Sequence, residues 1–451
     1  MTPRQLEKLD RELSTFLTEM TQDQGRPERR AALAQYITGL LLDGERKSIQ
    51  PMAMRLIKEP SQADAMRQRL QDCVSASRWS EQELRRRFAV KMDRELPGLE
   101  ALVVDDTGFA KKGTHSVGVA RQYSGTFGGT DNGQVAPSLH LAGEQGSVMV
   151  GMRLYLPKEW TDDRARCRRV GVPDEVRFTP KWQIALGLID QALAFGVRRH
   201  PVIADAGYGS ITMFRDGLAE RKLTYVVGVA NNHLIWPPGT QLQPPAPRTG
   251  GPGRPAVRWH ADHAKPIQIK ALVQGIAREK FKTVSWREGA RSTLTSKFLA
   301  YRVRPAEKET QGRRHGDELW LLCEWQSCDA APQFYLSTLP ANTSLKELVR
   351  VTKLRWRVER DYQDLKGEVG LDHFEGRTWP GFHRHATLCA VAHGFIALRR
   401  ALFPPEPDAV DAPGSPSPLP DPSAAPHRLV HDLRASDLAA VGLSGRFAHR
   451  T

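Results

Sequence analysis

The segment Ala101–Asp106, ALVVDD, decides how this chain is read. Leu102, Val103 and Val104 form an apolar run, with two β-branched valines, just after the break at Pro97 and Gly98, and it runs into two adjacent carboxylates, Asp105 and Asp106. That pattern predicts a core strand ending in acid. A second such strand, Pro201–Ala204, is followed at once by Asp205.

Working outward from Ala101, VGVARQY, QVAPSLHLA and VMVGMRLYLP read as further strands separated by Gly and Asn-Gly signals, an antiparallel meander. After it come a helix at about Lys181–Phe195, the strand Pro201–Ala204, a helix at about Ile211–Arg221 and a strand Leu223–Val229. Strands first, then helix and strand in alternation, give an α/β fold with an RNase H-like mixed sheet core. Residues 1–98 are expected to be a helical DNA-binding region, because apolar residues recur at Leu33, Tyr36, Ile37, Leu40 and Leu41 and Ser80 with Glu83 makes a capping box. The helix so started carries Arg85, Arg86 and Arg87, a cation density that suits phosphate contacts and equally suits an ordinary solvated face. Residues 99–235 form the first part of the catalytic core. Within 236–343, a Pro/Gly loop (Trp236–Ala256) precedes a β-rich insertion carrying FKTVSW, SKFLAYRV, ELWLLCEW and QFYLSTL. The triplet Gly253-Arg254-Pro255 within that loop reads as flexible loop rather than as a groove-binding element. Residues 344–402 return to helical period, first as one long helix capped by Ser344 and Glu347 that runs to about Lys366, then as an apolar helix at His385–Leu402. Nine prolines between 403 and 427 make 403–451 a linker and tail.

The chemistry rests on three acidic positions: Asp105, with Asp106 as the alternative, Asp205, and Glu359 on the long helix. Separations of 100 and 154 residues hide them from a motif search, but strand ends at one edge of a sheet plus one helix can bring three carboxylates together. Such a cluster repels itself unless cations intervene. Two divalent ions held by oxygen ligands resolve the repulsion and promote in-line phosphodiester displacement, so Mg2+ is expected as a pair of ions, with Mn2+ a workable substitute. Arg355, Glu359 and Lys366, spaced by four and seven, fall on nearly one helical face, which sets a cation for DNA phosphate on either side of the carboxylate.

A net charge of +14 in 451 residues, with 40% hydrophobic content, describes a globular chain that attracts an anionic partner, nucleic acid foremost. The five cysteines are scattered and odd in number, which excludes a disulfide framework and fits a reducing cytoplasm. Cys323 and Cys328 have no second Cys or His pair, so no zinc site is expected. The N-terminus has no apolar signal core, and Leu388–Leu398 is too short to span a bilayer, so no membrane association is expected.

Together VVDDTGFAKKGTHSVGVARQY, LYLPKEWTDD, VIADAGYG and LRWRVERDYQDLKGEVGLDHFEGRTWPGFHRH resemble the DDE-class transposases of bacterial insertion sequences, whose last helix bears a Tyr, Arg, Glu, Lys signature. YITGLLLDGERKSIQPMA resembles them too, and the likeness covers roughly residues 30–400. It implies Asp105, in the context Asp-x-Thr with Thr107, Asp205 and Glu359 as catalytic metal ligands, and Arg355 and Lys366 as the signature cations. Thr352 stands where the signature has Tyr. The resemblance further implies a homodimer acting on double-stranded DNA, at terminal inverted repeats and target, in a cytoplasmic, nucleoid-associated setting. The alternatives are a transposase-derived DNA-binding regulator without cleavage activity and an RNase H-like nuclease that does not join. Trp259, Trp286, Trp320 and Trp325 in the insertion are read as core residues rather than as base-stacking sites.

Overall fold

The structure, a computed structural model, describes residues 3–244, 259–261, 263–288, 293–306, 317–326 and 331–403. Most of the Pro/Gly loop, including Gly253-Arg254-Pro255, as well as Cys328 and the tail from 404 on, lies outside the described residues.

Five helices come first: α1 (Pro3–Thr21), α2 (Pro27–Leu41), α3 (Ile49–Leu56), α4 (Ala63–Ser75) and α5 (Glu81–Glu95). The strands β1 (Leu99–Ala110), β2 (Ala120–Ser124), β3 (Gly129–Gly143) and β4 (Gly146–Met152) follow. Two short helices, α6 (Lys158–Thr161) and α7 (Arg164–Arg169), lead to α8 (Lys181–Phe195). Next come β5 (Val202–Ala204), α9 (Ala206–Gly209), α10 (Thr212–Glu220), β6 (Tyr225–Val229), β7 (Leu234–Trp236), β8 (Ile267–Gln268) and α11 (Ile269–Gln274). The chain continues with β9 (Lys282–Glu288), β10 (Thr293–Pro305), β11 (Leu319–Trp325), β12 (Gln333–Ser337), α12 (Leu345–Lys353), α13 (Trp356–Gly367) and α14 (Trp379–Leu402). This is an α/β fold, an RNase H-like mixed sheet with a helical N-terminal region and a β-rich insertion.

The chain divides into two compact units. One comprises Met1–Leu99, Asp106–Arg198 and the chain from Arg357 on; the other comprises Glu100–Asp105 and Arg199–Trp356. The first unit is built around α14. Sixteen of its residues between Gly381 and Leu398 are buried, on every side of the helix, so Leu388–Leu398 is a core helix. Tyr36 of α2 reaches its His385 at 3.0 Å, and Phe16 of α1 packs on its Phe395. The Ser80 hydroxyl accepts from the Glu83 N–H at 3.1 Å and starts α5 as the capping pattern requires. Gly196, at φ 99°, ends α8 in the left-handed conformation that glycine adopts without strain. Beside these helices β3 pairs antiparallel with β2 along its first half and with β4 along its second.

In the second unit the strand order is β1-β5-β6-β12-β11-β10-β7-β8, with β9 on the far part of β10. β1, β5 and β6 run parallel, whereas β12 joins β6 antiparallel. The β-rich insertion therefore extends the core sheet instead of forming a sheet of its own. Its strands bury Phe298 and Leu322 against Leu348 and Val349 of α12.

Two expectations need correction. Asp105 and Asp106 do not end their strand, since β1 continues to Ala110. Only Leu102–Val104 pair with the three-residue β5, and β1 outruns that short partner. The long helix is also not continuous. Leu354 and Arg355 interrupt it, with the Leu354 N–H turning to the Val351 carbonyl at 3.1 Å in a tightened last turn. Arg355 thus lies in the break and precedes α13. Lys353, just before the break, is held by an ion pair to the fully buried Glu324 of β11 and lies 4.6 Å from the Trp286 ring. This anchoring to the sheet halts α12 where its apolar stripe ends. Among the described residues no helix is long and apolar enough to cross a membrane.

Candidate active site

The register of β1 on β5 pairs Leu102 with Val202, Val103 with Ile203 and Val104 with Ala204. The next residues in each chain are Asp105 and Asp205. Residues at matching positions of parallel neighbours project to the same side of a sheet, and neighbouring strands lie about 4.8 Å apart. The two aspartates therefore lie side by side just past the last paired positions of β1 and β5, and strand alternation turns Asp106 away from Asp105.

Asp205 is extended (φ −76°, ψ −177°) and serves as N-cap of α9. Its Oδ1 accepts from the Gly207 N–H at 2.9 Å and the Tyr208 N–H at 3.2 Å, so the carboxylate's orientation is fixed by backbone. The turn is tight because two glycines allow it. A Cβ at Gly209 would stand 2.1 Å from the Gly228 carbonyl oxygen and 2.6 Å from Val227 Cβ, closer than real Cβ atoms come. Gly209→Ala is accordingly expected to lower stability by about 1–3 kcal/mol through overpacking and to displace Asp205 with α9. Melting of the variant and nicking of DNA should both suffer, and an unchanged pair of readings would refute the close-packing argument.

Asp105 accepts from the Arg355 guanidinium, Nη1 to Oδ2, at 2.8 Å, with the two side chains 15% and 31% exposed. The break after α12 gives Arg355 this reach. Asp106 is instead held by the Lys181 ammonium at 2.6 Å. Glu359 is exposed on α13, in the other unit, one turn into the helix. Among the described residues, no three His, Cys, Asp or Glu side chains converge closely enough to hold a metal by themselves. The structure thus brings Asp105, Asp205 and Arg355 together in one unit. It describes Glu359 in the other.

Lys366 donates to the Gly108 carbonyl at 2.9 Å and lies 5.4 Å from the Phe109 ring; burial pulls its pKa below the ordinary lysine value. Thr352 is 3% exposed and its hydroxyl donates to the Leu348 carbonyl at 2.6 Å, so its one proton is committed to the helix backbone. Of the cations on α5, Arg85 pairs with Glu81 at 3.5 Å, Arg86 forks onto Glu83 at 2.7–2.8 Å and Arg87 pairs with Asp23. Trp320 donates to the Pro340 carbonyl at 3.0 Å and stacks with Arg302, and Trp286 packs on the α12 core cluster.

Sequence reasoning missed a buried polar network beneath α13. His140 Nδ1 is 2.7 Å from Asp361 Oδ2, and the Ser147 hydroxyl donates to Asp361 Oδ1 at 2.5 Å. His140 Nε2 is 2.9 Å from Ser138 Oγ, which in turn is 2.6 Å from the Tyr362 hydroxyl. A carboxylate only accepts, so His140 carries its proton on Nδ1. His140 is 0% and Asp361 3% exposed. A bulge between Leu139 and His140 sets the local register there. The only sequence trace of this network is polar residues inside otherwise apolar strands, at Ser138 and His140.

The description DDE superfamily endonuclease matches residues 15–293, well over half of the chain. Over 202 residues the chain is 31% identical to the probable transposase for insertion sequence element IS701 of Microchaete diplosiphon. That alignment covers 44% of this chain and 48% of the relative, so the chain spans about half the length of the curated relative it matches. On the extent of the family match, taken with the α/β sheet that carries the two aspartates, this chain belongs to the DDE superfamily endonucleases.

Proposed function

We propose that this chain is a transposase that cleaves DNA at the ends of a mobile element and joins the freed 3′ hydroxyl to target DNA. The observation that carries the reading is that Asp105 and Asp205 each directly follow the last paired positions, Val104 and Ala204, of parallel neighbouring strands. The relative, a probable transposase, supports the same reading.

Like charges on neighbouring strands repel, and in this chain Arg355 supplies one countercharge at Asp105. The donor set is all oxygen and small, which fits Mg2+, an ion that takes one or two carboxylates and completes its shell with water and phosphate oxygens. Asp105, Asp205 and Glu359 would hold two such ions, for which Mn2+ would substitute. When bound, the ions supply a lowered pKa for the attacking water or hydroxyl and charge stabilisation for the leaving oxygen. Asp105 is preferred to Asp106 because it lies side by side with Asp205, whereas Asp106 is engaged by Lys181. Arg355 and Lys366 hold DNA phosphates, Arg355 through its fork and Lys366 as a point charge. Thr352 takes no part in this, its hydroxyl being turned into the helix. Residues 1–98 supply further DNA contacts, through Arg85, Arg86 and Arg87, and the active species is a homodimer on terminal inverted repeats.

Incubating the purified protein with a labelled duplex bearing the element's terminal repeat tests the reading. Nicking at the repeat boundary in Mg2+ or Mn2+, its loss in EDTA, and the later appearance of joined products are expected. Tight binding with no nick in either metal would make the chain a DNA-binding regulator, and nicks without joined products would make it a nuclease.

A further inference from the structure

Apart from the carboxylates, the first unit contains a cavity of about 540 Å³. Its walls come from the end of β4, the start of α5, the middle of α8 and the first turns of α14. Three arginines line it, Arg85, Arg153 and Arg384, against a single carboxylate, Glu81. Glu81 is already engaged, accepting from the Thr387 hydroxyl at 2.6 Å and facing Arg85 at 3.5 Å.

The other two cations form no ion pair among the described residues, although Glu81 also offsets part of the burial cost at Arg384. Arg384 donates only to the neutral Val74 carbonyl, at 3.4 Å, and stands 5.5 Å over the Trp79 ring. Arg153 has no side-chain hydrogen bond or ion pair among the described residues, and burial is the one influence on its charge. Burial lowers the pKa of both guanidinium groups, the mark of charge withdrawn from water. With three guanidinium groups against one carboxylate the cavity keeps an excess of half-buried positive charge, and an anion entering it would relieve that cost. His383 adds no charge. Its Nε2 accepts from the Leu154 N–H at 3.2 Å, so Nδ1 carries the proton and donates to the Trp379 carbonyl at 2.9 Å. Burial accordingly pushes its pKa down to about 4.

Beside the arginines lies a flat aromatic wall. The Trp379 ring packs against His383 with centroids 4.2 Å apart and also lines the cavity. Guanidinium forks select phosphate-like oxyanions, an indole face selects a planar ring, and a cavity in the range of about 300–1,000 Å³ accepts a small organic ligand rather than a bare ion.

We propose that this cavity binds a nucleoside monophosphate, with Arg153 and Arg384 on the phosphate and Trp379 against the base. The same chemistry is offered by a free mononucleotide and by one nucleotide unit of a DNA strand.

The test uses the full chain in EDTA, which removes metal-dependent binding elsewhere, and titrates dAMP, inorganic phosphate and a short oligothymidylate by calorimetry. Wild-type protein is expected to bind dAMP more tightly than phosphate. Arg153→Gln should weaken dAMP at least about tenfold, the loss of a charge-assisted hydrogen bond. Trp379→Leu should weaken it by a similar factor while leaving phosphate affinity nearly unchanged. Arg153→Lys, which keeps the charge without the fork, should fall between and serves if Arg153→Gln fails to fold. Tighter binding of oligothymidylate than of dAMP, with the same dependence on Arg153 and Trp379, assigns the site to a strand, and the reverse order assigns it to a free nucleotide. Absence of dAMP and oligonucleotide binding at millimolar concentration, or binding indifferent to both side chains in folded variants, overturns the proposal.

Discussion

Asp105→Asn, Asp205→Asn and Glu359→Gln are each expected to lower DNA cleavage by about 10³-fold or more, the several kcal/mol that a metal-stabilised displacement loses with a ligand, while DNA affinity stays within a few-fold. Double variants should lose little beyond the singles, because residues that act as one unit are not additive. Substitution at Asp205 is the cleanest of the three. Asn retains the side-chain oxygen that caps α9 through the Gly207 and Tyr208 N–H groups, so the turn should survive and only the charge is removed. At Asp105 the change also weakens the bond from Arg355, and a small fall in melting temperature should accompany the lost activity. Asp106→Asn is the control, since it weakens the Lys181 pair and leaves Asp105 and Asp205 in place. Retained cleavage in the Asp105 variant together with loss in the Asp106 variant would transfer the role to Asp106. Loss of DNA binding in all three carboxylate variants would sink the assignment altogether.

Local order was legible in the sequence wherever local chemistry determined it. Ser80 and Ser344 cap their helices as their spacing to Glu83 and Glu347 predicted, and the apolar period of Lys181–Phe195 matches α8 at both ends. The strand Pro201–Ala204 was readable because it is uniformly apolar and is followed directly by a polar turn. What failed was set by partners distant in the chain. β1 runs on past Asp105 after β5 has ended because β3 is its other hydrogen-bonded neighbour, a pairing that no local pattern encodes. The break at Leu354–Arg355 carries no proline or glycine, and its anchors, Glu324 and Asp105, lie 29 and 250 residues from the side chains they hold. Likewise, the joining of the insertion to the core sheet depends on β12 finding β6 across about a hundred residues, which no periodicity encodes.

The network beneath α13 carries the second large effect. Asp361→Ala is expected to destabilise the protein by about 3–5 kcal/mol, because it leaves His140 and the Ser147 hydroxyl buried without their acceptor. The consequence should reach beyond stability. Asp361 lies two residues after Glu359 on the same helix, on the face turned to the sheet, with Val358 and Leu365 buried on either side of it. Apolar contacts alone tolerate a helix sliding or rotating by a fraction of a turn, whereas two hydrogen bonds to opposite oxygens of one carboxylate do not. If this network sets the rotation of α13, variants that weaken it without unfolding the chain should lose cleavage out of proportion to stability. Ser147→Ala removes one of the two bonds and leaves His140 paired, which makes it the variant to assay for turnover. Its melting temperature should fall modestly, its affinity for DNA should hold, and its cleavage rate should drop by about tenfold or more, the value of roughly 1.4 kcal/mol in a barrier. Should Ser147→Ala cleave at the wild-type rate while Asp361→Ala melts much earlier, the network would be a stabilising feature of the unit and would not position Glu359.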